Sequence, residues 1–91
     1  MYSQKDLDSI DRSYFTILVA DQYDVMIMSK NTRHVWQLHN VELQDEEFTV
    51  LFHKHHITHD FHRHAKCSTL KRAIREIKSH DRFQMNGRKR V

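Results

Sequence analysis

The chain has 91 residues, of which 38% are hydrophobic and 30% charged, with a formal net charge of +3, one cysteine and no proline. That length supports a single domain with one modest core, since a chain of this size buries only about 60–65% of its unfolded surface. Cys67 alone excludes an internal disulfide, and the longest apolar run, Ile17 to Ala20, falls far short of the ~20 residues a membrane span needs.

Residues 1–12 carry few apolar groups; Ser3 can cap a short helix with Asp6 three positions on, so this segment is expected to be flexible or briefly helical. Asp6, Asp8 and Asp11 also stand where a signal peptide would have its apolar core, and the expected setting is cytoplasmic. Tyr14 to Ala20 is apolar on both faces and reads as a central, well-covered strand. After a turn at Asp21 and Gln22, the alternation from Tyr23 to Ser29 predicts the return strand, with Met26 and Met28 on its outer face to cover the helix. Ser29 to Thr32 supplies the next turn, Asn31 being the residue best suited to a left-handed backbone. His34, Trp36 and Leu38 then share the apolar face of a third strand, with Trp36 in the core. Glu42 to Glu47 is acidic and is expected to be a long solvated loop. A fourth strand over Phe48 to His55 is expected to turn Phe48, Val50 and Phe52 inward, which sets His53 and His55 away from the core.

A short fifth strand is expected around Phe61 to Ala65. Ser68 can then cap a helix whose apolar positions Leu70, Ala73, Ile74 and Ile77 follow the i, i+3, i+4, i+7 rule. The fold class predicted is α+β: a four- to five-stranded antiparallel sheet with one C-terminal helix packed on a face, and a single domain over residues 13–82 followed by a basic tail, 83–91.

Six of the nine histidines lie between Phe52 and Ala65, and His53-Lys54-His55 and His62-Arg63-His64 repeat one His-x-His pattern. If residues 57–60 turn a hairpin, His55 lies opposite His62 and His53 opposite His64, so four imidazoles crowd onto one patch. Neutral imidazoles at that density suit zinc, nickel or copper, with His56, His59 and Asp60 as further candidates. No cysteine joins them, so an open site is expected rather than a closed structural one. The same ribbon, with Lys54 and Arg63 beside Phe52 and Phe61, also offers phosphate donors and stacking surfaces. His56-Ile57-Thr58 resembles half of the paired His-x-Thr motif of the 2H phosphoesterases, but the second copy is missing and no catalysis is expected.

Charge is divided unevenly. Residues 1–65 hold six Lys/Arg against ten Asp/Glu, while residues 66–91 hold nine against two. On the predicted helix, Lys71, Arg75, Lys78 and Arg82 fall within an arc of about 60°, with Arg72 further round. Arg88, Lys89 and Arg90 extend the positive end. Cys67, near the helix start and Lys66, is expected to have a lowered thiol pKa and a structural role.

The element order, with Lys71 and Arg72 in the first turn of a final helix, loosely resembles a double-stranded-RNA-binding domain; that resemblance ends at element order and implies no binding residues. The expected function is that of a small non-enzymatic protein binding DNA, RNA or a nucleoprotein complex through the helix, the tail and the histidine hairpin. Small cysteine-poor chains of this kind are also encoded by phages and mobile elements, so the alternative is an inhibitor, anti-CRISPR in type, that meets a host protein's basic groove with Glu42 and Asp45-Glu46-Glu47. The third option is a histidine-cluster metal protein holding zinc or nickel through His53, His55, His62 and His64.

Overall fold

Residues suited to extended backbone concentrate in five consecutive segments, and in the computed structural model of the chain these pair in the order in which they occur. The structure describes residues 1–87. β1 (Phe15–Ala20), β2 (Asp24–Ser29), β3 (Val35–Glu42), β4 (Glu47–Lys54) and β5 (His62–Cys67) form one antiparallel sheet in the order β1-β2-β3-β4-β5. A short helix, α1 (Gln4–Asp8), precedes the sheet, and a longer one, α2 (Leu70–Met85), follows it and covers one face. The α+β class, the C-terminal helix and the brief N-terminal helix are as expected. Among the described residues no helix is long and apolar enough to cross a membrane.

Local chemistry sets the turns. Asp21 accepts hydrogen bonds from the backbone N–H groups of Tyr23 and Asp24 at 2.9 and 2.7 Å, which closes the β1–β2 connection and lowers its carboxyl pKa. In the next turn it is Arg33, not Asn31, that takes the left-handed backbone, at φ 65°. Glu42 to Glu47 is no long loop: Glu42 pairs with Glu47 across the ladder, and residues 43–46 turn tightly, with the Leu43 N–H donating to the Glu46 carbonyl at 2.7 Å. Two glutamates directly opposed repel, and the ammonium of Met1 contacts both. Thr69 rather than Ser68 caps α2, its hydroxyl accepting from the Arg72 N–H at 3.1 Å.

The core lies between the sheet and the helices. Val25 and Ile27 of β2, Trp36 and Leu38 of β3, Leu51 of β4, and Leu70, Ala73 and Ile77 of α2 are all buried there. Tyr2 and Ile10 join them, so the segment that carries the short N-terminal helix is docked on both sides of α1. The Tyr2 hydroxyl donates to the Leu38 carbonyl at 3.2 Å and shares a hydrogen bond with Thr49 at 2.9 Å; burial pushes its pKa up to about 12.

Three strand expectations are corrected. In β4 the buried side chains are Thr49, Leu51 and His53, so Phe48, Val50 and Phe52 face away from the helix. Met26 and Met28 alternate with the buried Val25 and Ile27 and occupy that same open face rather than covering α2. β1 is an edge strand, with Leu18 and Val19 40% and 47% exposed, and its irregular pairing between Ile17 and Val19 interrupts the regular edge that another strand would need.

Asp81 continues the buried stripe of α2 although it is a carboxylate. It is fully buried and accepts hydrogen bonds from the Tyr14 hydroxyl at 2.8 Å and the Thr32 hydroxyl at 3.0 Å, tying the helix to both ends of the β1–β2 hairpin. Asp81→Ala should therefore lower stability by about 2–3 kcal/mol, since hydrogen bonds to a charged acceptor are worth more than neutral ones. A denaturant melt whose midpoint does not move would contradict that role.

Candidate functional site

Two constellations stand out, one beneath α2 and one on its outer side. The first is a cage of imidazoles. Trp36 and His53 are ladder partners on β3 and β4, and their rings stack with centroids 4.0 Å apart at 22°. His53 is 1% exposed. The left-handed backbone at Arg33 turns the chain just before β3, where the His34 N–H donates to the Thr32 hydroxyl at 3.2 Å. His34 Nδ1 then shares a hydrogen bond with His53 Nε2 at 3.0 Å. His80 reaches in from α2, its ring 4.6 Å from His53 and edge-on to Trp36.

Three more histidines close the cage. His55 stacks on His34 at 4.6 Å and 5°, while the rings of His62 and His64 lie 5.2 and 5.7 Å from His53. The predicted convergence of the two His-x-His pairs thus occurs, but in another register: His53 pairs with His62, and the connection spans 55–61. Between Leu51↔Ala65 and Phe52↔Arg63 the ladder skips one residue, His64, and this bulge turns it towards Trp36 and His80. His64 Nε2 lies 3.2 Å from a Glu76 carboxylate oxygen on α2.

Burial, followed by the neighbouring His80, His34, His55 and His62, pushes the His53 pKa down to about 3, and burial with His64 lowers that of His80. The Trp36 indole N–H and His80 Nδ1 are buried and, among the described residues, have no hydrogen-bond partner. His34, His53 and His80 present ring nitrogens that all lie within 4.8 Å of one another. Of the four histidines singled out in the sequence, His53 belongs to this triad and His55, His62 and His64 border it. His34 and His80 were not singled out in the sequence. The helical stripe held the signal for His80, because three and four positions past Ile77 fall His80 and Asp81.

The second constellation is cationic. Lys71, Arg72, Arg75 and Arg82 are exposed on α2, and Lys78 is half-buried, its Nζ 3.8 Å from an Asp11 carboxylate oxygen and 4.9 Å from the centre of the Tyr14 ring. Lys5 of α1 faces them across a groove of about 500 Å³ lined also by Asp6, Ser9 and Ile74. Lys54 and Arg63 do not join this row: they follow the outward parity of Phe52, and Lys54 lies 4.3 Å over the Phe61 ring. The single anion-seeking end expected from the sequence is therefore two surfaces, one on each layer. Arg88, Lys89 and Arg90 lie outside the described residues. Cys67 is half-buried and its thiol pKa is raised, by burial first and then by Glu76, not lowered by the helix terminus.

The chain matches no protein-family model, no curated protein and no solved structure.

Proposed function

We propose that the chain is a small nucleic-acid-binding protein that works by binding rather than by catalysis, with the cations of α2 as its phosphate contacts. What supports this most is the state of Lys71, Arg75 and Arg82: exposed, on one arc of the helix, and, among the described residues, without a carboxylate within ion-pair distance. From Lys71 to Arg82 the row covers about 16 Å, the axial length of about five nucleotides of one duplex strand. Lys5 across the groove adds a further contact to one strand of backbone.

Salt sets the test. With about four phosphate contacts, affinity for a short oligonucleotide should fall about a hundredfold between 50 and 200 mM salt. Lys71→Glu with Arg75→Glu should weaken binding and lower the slope of log affinity against log salt by about two, as read by fluorescence anisotropy. Absence of binding at 50 mM salt, or a slope that the double substitution leaves unchanged, would overturn the proposal.

The protein-directed inhibitor has less to act through on its acidic side. Glu42 and Glu47 contact the Met1 ammonium, and Glu46 lies 4.0 Å from Lys66. Were it nonetheless correct, substitutions at 42–47 would abolish activity and free oligonucleotide would not bind.

A further inference from the structure

The cationic surface leaves the histidine cage unexplained. A 91-residue chain with nine histidines gathers six of them in one cluster, three against Trp36 and the others against His53. Three of the six come from separate places in the chain: His34 from the turn before β3, His53 from β4 and His80 from α2. Nothing in the packing of a core demands this, because an aliphatic side chain at His53 would fill the space beside Trp36 without the cost of burying ring nitrogens.

We propose that His34, His53 and His80 form a tri-imidazole site for a first-row divalent transition cation of the zinc class, which on binding clasps α2 to the sheet. Geometry carries the proposal. Two ligands of a tetrahedral ion bound at ~2.0–2.1 Å lie a little over ~3 Å apart. The His34 and His53 nitrogens are already at 3.0 Å, and the third nitrogen of the set lies within 4.8 Å of both.

The donor set narrows the class. Neither a carboxylate nor a thiolate belongs to the triad, which disfavours calcium and magnesium and suits zinc, nickel, cobalt and copper. His80 Nδ1, buried and, among the described residues, unpartnered, is a polar atom that a bound ion or a rearranged ring would satisfy. Stacking fixes two of the three rings: His34 lies against His55, and His53 against Trp36. Three protein ligands leave a fourth position for water or for one of the bordering histidines, His55 or His64.

The site carries its own reporter. Trp36 is the only tryptophan, and its ring stacks directly on His53, so cobalt or nickel at the site should quench its fluorescence. The full chain, purified without an affinity tag and stripped with chelator, would be titrated with cobalt. The expected result is saturation at one ion per chain, a visible absorption band of tetrahedral cobalt, displacement by zinc, and a melting temperature raised by roughly 10 °C at a hundredfold excess over Kd.

His53→Ala can fail to fold, so the deciding variants are His34→Ala and His80→Ala at half-buried positions, each checked by circular dichroism. Each should weaken cobalt binding at least tenfold, while His39→Ala, on the open face of the sheet, should not change it. No saturable binding, or binding that survives both triad variants and is lost when the exposed turn residues His56 and His59 are replaced, would overturn the proposal. Oligonucleotide binding by the metal-free protein is a separate readout, so failure of one proposal does not entail failure of the other.

Discussion

Trp36→Ala is expected to cost about 3–5 kcal/mol, a large part of the 5–15 kcal/mol that holds a typical domain together. The melting temperature should fall by at least about 12 °C, taking about 4 °C for each kcal/mol in a domain of this size. The indole is fully buried at the middle of the sheet, stacked on His53 and met edge-on by His64 and His80. Its removal leaves a cavity against the buried His53 ring, which loses the surface it stacks on. Trp36→Phe retains a stacking ring and should cost less than half as much. A Trp36→Ala protein that melts within ~3 °C of the parent would show that the cage is not packed around the indole.

Acid should unfold the metal-free protein earlier than its carboxylates alone would require. The folded pKa of His53 is about 3, against an ordinary value of 6.5, with burial as the main cause and His80, His34, His55 and His62 adding repulsion. The unfolded chain therefore binds a proton that the folded chain refuses. Stability is full above pH 6.5 and is lost progressively as pH falls from there towards 3, at about 1.4 kcal/mol per pH unit for one such group. His80 contributes in the same direction; Asp81 and Glu76 beside it act the other way and reduce its share. Urea melts at pH 7.5, 6 and 5 in the presence of chelator measure the slope. His53→Leu should flatten it, and a parent protein equally stable at pH 7.5 and 5 would contradict the burial of a neutral imidazole.

Much of the architecture was legible because it rests on local pattern. The i, i+3, i+4, i+7 spacing of Leu70, Ala73, Ile74 and Ile77 marks the helix, and alternation marks the inward faces of β2 and β3 through Val25, Ile27, Trp36 and Leu38. β4 was misread because both of its faces carry large apolar groups. Phe48, Val50 and Phe52 outweigh Thr49, Leu51 and His53 on any hydrophobicity scale, yet the second set is buried. What decides the parity is non-local: the Tyr2 hydroxyl, 47 residues away, pairs with Thr49, and Trp36 stacks on His53. β1 looked central because it is apolar on both faces, whereas a meander of hairpins leaves its first strand at an edge.

The candidate site was legible in part for the same reason. A doubled His-x-His announces a histidine patch, but the skipped residue at His64 and the entry of His80 from the helix depend on ladder register and helix docking. Helical period alone places Lys71, Arg75 and Arg82 on one exposed side of α2, but the approach of Lys78 to Asp11 and the position of Lys5 depend on how α1 docks. The separation of this row from Lys54 and Arg63 follows from the corrected parity of β4.

If the outer side of α2 meets nucleic acid, backbone amide NMR during titration with a short oligonucleotide in low salt will locate the contact. Shifts confined to Lys5 and to the turns of α2 that carry Lys71, Arg75, Lys78 and Arg82 are predicted. Shifts centred instead on Phe48, Phe52, Lys54 and Arg63 of the open sheet face, or none at all, would contradict a contact at α2.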